Sequence, residues 1–149
     1  MILAEKMSQY SHNNIFFCQP IQNTILYNGV FVRIVYSTPY FSLNGIYIYF
    51  TLHGLYDEKF LNKSTIFFNK QINKISIENI TNIESNILNK YPTSKTPQYK
   101  IKELLQNGFF KIYNNDILNH NTQRTFIIKI SGIWETTTDY GLTYKFSQI

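Results

Sequence analysis

Apolar and polar positions first fall into step at Gly29. Beyond it, Val30, Val32, Ile34 and Tyr36 alternate with Phe31, Arg33 and Val35, a period of two in β-branched and aromatic residues that predicts a strand. Ser37-Thr38-Pro39 ends it, because proline cannot donate to a central ladder, and Asn44-Gly45 predicts a turn. A second strand sets Ile46, Ile48, Phe50 and Leu52 on one face and Tyr47, Tyr49 and Thr51 on the other. A third is expected over residues 65–69, after a loop around Gly54-Leu55-Tyr56-Asp57-Glu58. The period then lengthens. Ile77, Ile80, Ile83, Ile87 and Leu88 recur at helical spacing, with Glu78, Asn79, Asn82, Glu84 and Asn86 off that stripe. This predicts a helix over 77–89, with Ser76 as N-cap, Lys90 suiting the C-terminal dipole and Pro92 forbidding continuation.

After a loop with two prolines at 92–98, a short helix over 101–106 stops at Asn107-Gly108, and Phe109 to Tyr113 reads as a strand. The strongest local pattern closes the chain. Arg124, Phe126, Ile128, Ile130, Gly132 and Trp134 line one face of a long strand, and Thr125, Ile127, Lys129, Ser131 and Ile133 line the other. A turn at 136–139 returns the chain through Tyr140, Leu142, Tyr144 and Phe146 as the second arm of a hairpin. Gly132 inside the first arm predicts a bulge or bend. Residues 1–28 are polar and aperiodic and are expected to form an N-terminal arm, with a short strand at Ile15-Phe16-Phe17. Residues 29–149 then form one domain, mainly β with one principal helix. Three strands, a helix and further strands fit a small antiparallel five-stranded barrel of the oligonucleotide-binding type, and a two-sheet sandwich is the competing architecture.

Composition changes how these residues are weighed. Ile, Asn, Lys, Tyr and Phe supply half of the 149 residues, whereas Ala occurs once and Arg twice. The enriched types have AT-rich codons, so a strongly AT-rich genome, such as some large DNA viruses carry, accounts for them and weakens aromatic content as a signal. Hydrophobic content of 44% and charged content of 15% mark a folded chain rather than a disordered one. No run of apolar residues is long enough to span a membrane, and the start lacks the order of a signal peptide, so an intracellular protein is expected. The net charge of +5 suits a polyanion partner, since cations that neutralise phosphates release counterions.

A non-specific single-strand binder needs cations for the backbone and flat rings for the bases. Arg33, Lys129 and Lys145 sit on strands opposite apolar faces, Tyr47 and Tyr49 share one face two residues apart, and Trp134 stands near a strand end. The same reading takes in Lys111 and Tyr113 on the strand at 109–113, and Arg124 and Tyr144 on the final hairpin. Core packing or a solvated face is the competing account of each. Enzyme chemistry finds little support, and a non-catalytic protein is expected. Cys18, His12, His53 and His120 are scattered without metal-ligand spacing, Asp57-Glu58 reads as a solvated turn, and there is no glycine-rich phosphate loop or nucleophile elbow. Neither a cofactor nor a metal is expected.

The stretch Ile128-Lys129-Ile130-Ser131-Gly132-Ile133-Trp134-Glu135, followed by Tyr140-Gly141-Leu142-Thr143-Tyr144-Lys145-Phe146, resembles the C-terminal hairpin of the single-stranded DNA-binding proteins of large DNA viruses, phage proteins among their relatives. Val32-Arg33-Ile34-Val35-Tyr36-Ser37-Thr38-Pro39 with Gly45 resembles their first strand and turn. The resemblance implies an oligonucleotide-binding barrel that coats single-stranded DNA without sequence choice during viral replication or recombination. It implies replication proteins and further copies of the chain as partners, and the host cell nucleus or a viral replication site as location. A structural protein or minor virion component without nucleic-acid binding is the alternative.

Overall fold

Alternation of β-branched and aromatic residues carries through into strands. The computed structural model describes residues 4–23, 29–113 and 121–149, and it is mainly β with two α-helices. The chain runs through β1 (Glu5–Lys6), β2 (Ile15–Phe17), β3 (Ile21–Asn23), β4 (Gly29–Ser37), β5 (Ser42–Leu43) and β6 (Ile46–Leu52). A hairpin, β7 (Tyr56–Phe60) and β8 (Lys63–Phe67), precedes the helix α1 (Lys74–Lys90). Then come β9 (Thr96–Gln98), α2 (Lys100–Gln106), β10 (Phe109–Tyr113) and a final hairpin of β11 (Arg124–Glu135) and β12 (Asp139–Gln148).

The large sheet curls into a half-barrel in the order β1-β6-β11-β12-β9. Its spine is β11, which pairs with β12 along one edge. Along its other edge it pairs with β6 from Arg124 to Ile130 and with β4 from Gly132 to Glu135. β10, β8 and β7 make a separate three-stranded sheet. The principal helix follows β8, after both strands of the β7–β8 hairpin rather than after a third strand. The hydrogen bonding forms a half-barrel and a second sheet, and no ladder joins β10 to β12 among the described residues. Tyr36, Phe110, Phe126 and Ile128 fill the core with Ile80, Ile87 and Leu88 of α1 and Ile101 and Leu105 of α2.

Several local expectations change for identifiable reasons. The described part of the segment expected as an arm is woven into the sheets: β1 pairs parallel with β6, and β2 and β3 pair with β4. Ile15 is buried in the core, and Tyr10 stacks on Tyr36 at 5.9 Å. The short strand at Ile15–Phe17 forms as expected. Residues 24–28 lie outside the described residues. α1 begins at Lys74, with Asn73 rather than Ser76 at its N-cap. The Asn73 side chain accepts the His53 N–H at 2.8 Å and donates to the carbonyls of His53 and Asn69, so a distant strand end fixes where the helix starts. The loop expected around 54–58 contains most of β7, and β8 starts two residues earlier than the alternation suggests because Phe60 pairs directly with Lys63.

Glu84, which helical spacing sets off the apolar stripe, is fully buried. Its two carboxylate oxygens accept the N–H groups of Ile101 at 2.8 Å and Lys102 at 2.9 Å, tying the start of α2 to α1. Burial pushes its pKa above the usual carboxylate range, against the opposing pull of those N–H groups and the Lys102 charge. The folded chain thus holds this proton more tightly than the unfolded chain does. Its contribution favours folding at low pH and is lost as pH rises from the usual carboxylate range through the raised value. Glu84→Gln is expected to flatten that part of the stability profile. Glu84→Ala leaves two N–H groups without their acceptor and is expected to cost about 2–4 kcal/mol in urea unfolding near pH 7.

Candidate nucleic-acid interface

The outward face of the half-barrel is set by a bulge. Along β11 the pairing with β12 shifts between Ile130 and Gly132. One extra residue there reverses which side chains point inward. Phe126, Ile128 and Ile130 are buried before the bulge, and Ile133 and Glu135 after it. The bulge expected at Gly132 is therefore present, but the faces read from simple alternation change beyond it. Trp134 joins the outward face that Lys129 occupies, and Ile133 turns into the core. Gly132 is required: a Cβ there would lie 2.4 Å from the Val32 carbonyl oxygen and 2.6 Å from the Phe31 ring.

Before the bulge, cross-strand pairing aligns Tyr47 of β6, Lys129 of β11 and Lys145 of β12 in one row. The Lys129 ammonium stands 5.4 Å from the centre of the Tyr47 ring. The Lys145 ammonium lies 5.0 Å from the centre of the Tyr113 ring, whose other neighbour is the Lys63 ammonium at 5.7 Å. A ring, two cations, a second ring and a third cation thus run from β6 across the half-barrel onto the three-stranded sheet. Lys111 joins them, lining a small cleft of about 90 Å³ with Lys63, Tyr113, Lys145 and Phe146. Each exposed cation–ring contact is worth about 0.5–1 kcal/mol. Lys129 and Lys145 are direct cross-strand partners, and like charges so placed destabilise a sheet. No ion pair neutralises Lys63, Lys111, Lys129 or Lys145 among the described residues. Among the described residues the row carries positive charge that no ion pair offsets, at a structural cost.

Lys63 was missed in the sequence, as were the rings beyond it. Pairing in the three-stranded sheet sets Tyr56, Phe67 and Phe109 side by side. Tyr56 stacks on Phe67 at 4.8 Å with planes 8° apart, and Phe109 follows at 5.8 Å. Tyr56 and Tyr113 are exposed, whereas Phe67 and Phe109 are half-buried. The signal was there: Tyr56, Glu58 and Phe60 alternate, as do Phe109, Lys111 and Tyr113. The acidic pair in 57–58 obscured the first of these runs.

The remaining candidates are dispersed. Tyr49 stays on the outward face opposite Ile127, and Arg33 is exposed opposite Gly132, beyond the bulge. Trp134 lies over Gly141, where a Cβ would meet its ring at 2.6 Å, and lines a cleft of about 310 Å³ with Leu104, Leu142 and Tyr144. One candidate is corrected. Arg124 is buried and bonded through its guanidinium to Asp57 at 2.8 Å, so its charge is consumed between the sheets rather than offered outward. Asp57 is correspondingly an ion-pair partner, not a turn residue in solvent. Tyr144 turns toward Phe146, 5.7 Å away; burial, with the charges of Glu84 and Glu103, pushes its hydroxyl pKa up.

No three His, Cys, Asp or Glu side chains gather to hold a metal among the described residues. His120 lies outside the described residues. No helix among them is long and apolar enough to cross a membrane. Compared with protein-family models, curated proteins and solved structures, the chain gives no match in any of the three. The functional reading stands on this face.

Proposed function

We propose that the chain binds single-stranded nucleic acid, with DNA the expected form, in a sequence-tolerant way across the row from Tyr47 to Tyr113. The observation that carries the reading is the direct pairing of Lys129 with Lys145, each ammonium seated against a tyrosine. Like charges held opposite each other are relieved by a polyanion, whose phosphates release counterions on binding. Rings beside those phosphates offer stacking worth about 1–3 kcal/mol per base, and every base has a face to stack. Strand spacing suits this use, since neighbouring strands lie about 4.8 Å apart and the row crosses them rather than following one. The resemblance of the final hairpin to viral single-strand binders agrees with the reading and suggests work in viral DNA replication or recombination.

In competition gel shifts, oligo-dT should displace a labelled single strand far better than a hairpin duplex of equal nucleotide count does. Equal displacement by both, or no binding at low salt, would remove the proposal. Binding should weaken steeply as salt rises, with a slope of log K against log salt near −3 if Lys63, Lys111, Lys129 and Lys145 each meet one phosphate, at about −0.7 per single-strand contact. A virion structural protein would give no such slope.

A further inference from the structure

The hairpin between β7 and β8 turns in two residues, Leu61 and Asn62, because Phe60 pairs directly with Lys63. Leu61 adopts φ 57°, at the first central position of a two-residue hairpin, where glycine is the favoured residue. A branched apolar side chain at that position strains the backbone. Phe60 and Leu61 are 77% and 79% exposed, adjacent, and at the turn of the hairpin. Lys59 and Lys63 flank them, both exposed, and Glu58 is the nearest acid along the hairpin. Lys63 also contacts Tyr113, so the apolar tip begins where the row of rings and cations ends.

An exposed apolar pair between two cations suits insertion beside phosphates. A strand lying along the row would bring the mouth of any adjoining duplex against this tip. We propose that Phe60 and Leu61 act as a wedge entering between bases where single strand meets duplex, with Lys59 and Lys63 on the flanking phosphates. Apolar side chains of this kind unstack base steps by replacing the lost base contacts with their own. The wedge rests on the single-strand reading of the row but adds a distinct ligand, the junction, and a distinct residue pair.

The test uses the whole chain and forked DNA carrying, at its junction, an adenine analogue that brightens when unstacked. Wild-type protein should brighten it. The variant Phe60→Ser with Leu61→Asn should lose that signal while still binding oligo-dT; Asn accepts the left-handed backbone, and a melting curve checks that the fold is intact. Unchanged brightening by the variant overturns the wedge. Parallel loss of oligo-dT binding also overturns it, because the tip would then be one more contact along the row. Tip-dependent binding to phosphatidylcholine–phosphatidylserine vesicles with a silent junction overturns it in favour of a bilayer. Failure of wild-type protein to bind oligo-dT at all is a separate result, and sinks the single-strand reading itself.

Discussion

Replacing Lys129 and Lys145 together by Glu is expected to weaken oligo-dT binding at least tenfold near physiological salt, with the salt slope falling by about 1.4 or more as two phosphate contacts disappear. The fold should survive, because Lys145 is exposed, Lys129 only half-buried, and one like-charged cross-strand pair replaces another. The single change Lys129→Glu discriminates further. It sets a carboxylate opposite Lys145, an attractive cross-strand pair worth about 0.2–1 kcal/mol, against a lost ring contact of similar size. Stability should therefore hold while affinity falls. A purely structural role for Lys129 would move stability and leave binding alone. Fluorescence anisotropy at several salt concentrations, beside thermal melts of the same samples, separates the two. If the double variant binds as wild type does, the row is an ordinary solvated surface.

The second large effect is expected on the fold itself. Gly132→Val inserts a branched side chain where even a Cβ would sit 2.4 Å from the Val32 carbonyl oxygen, a backbone atom that cannot swing aside. The β4–β11 ladder from Gly132 to Glu135 must then part. The expected cost is about 2–4 kcal/mol, a drop of roughly 5–15 °C in melting temperature for a chain of this size. Gly141→Ala is the informative companion. The three atoms nearest its Cβ all belong to the Trp134 side chain, which can rotate away, so the stability loss should be smaller. Trp134 is the only tryptophan, so its emission should report the displacement directly. Equal losses from the two substitutions would mean that ladder geometry does not distinguish them.

What the sequence revealed follows from how local each cause is. Alternation at 46–52 and helical spacing in 80–88 depend on neighbours along the chain, and the apolar positions of both are buried where expected, although Glu84 joins them in the helix. Gly132 announced a bulge, yet its consequence, the reversal that brings Trp134 outward, could not be read without knowing how many residues oppose each other on two partner strands. Burial of charge was equally illegible. Arg124 and Glu84 are interior because Asp57 and the backbone of Ile101 and Lys102 meet them from far along the chain, and nothing near either residue signals it. The same holds for the site. Lys129, Lys145, Tyr47 and Tyr113 stand out singly in the sequence, and only the register of three sheet pairings, with the ring contacts, shows them as one row. Lys63 and the stacked rings of Tyr56 and Phe67 escaped because acidic residues in 57–58 masked a strand as a turn.

Arg124 opens the longest strand and reaches across to Asp57 on the hairpin that leads toward Lys63. The two ends of the row belong to sheets that share no ladder among the described residues, so their relative placement depends on tertiary contacts of this kind. A guest lying across both ends would act as a second brace between the sheets. By mass action it would then stiffen the very geometry it recognises, and grip would grow with reach as well as with charge.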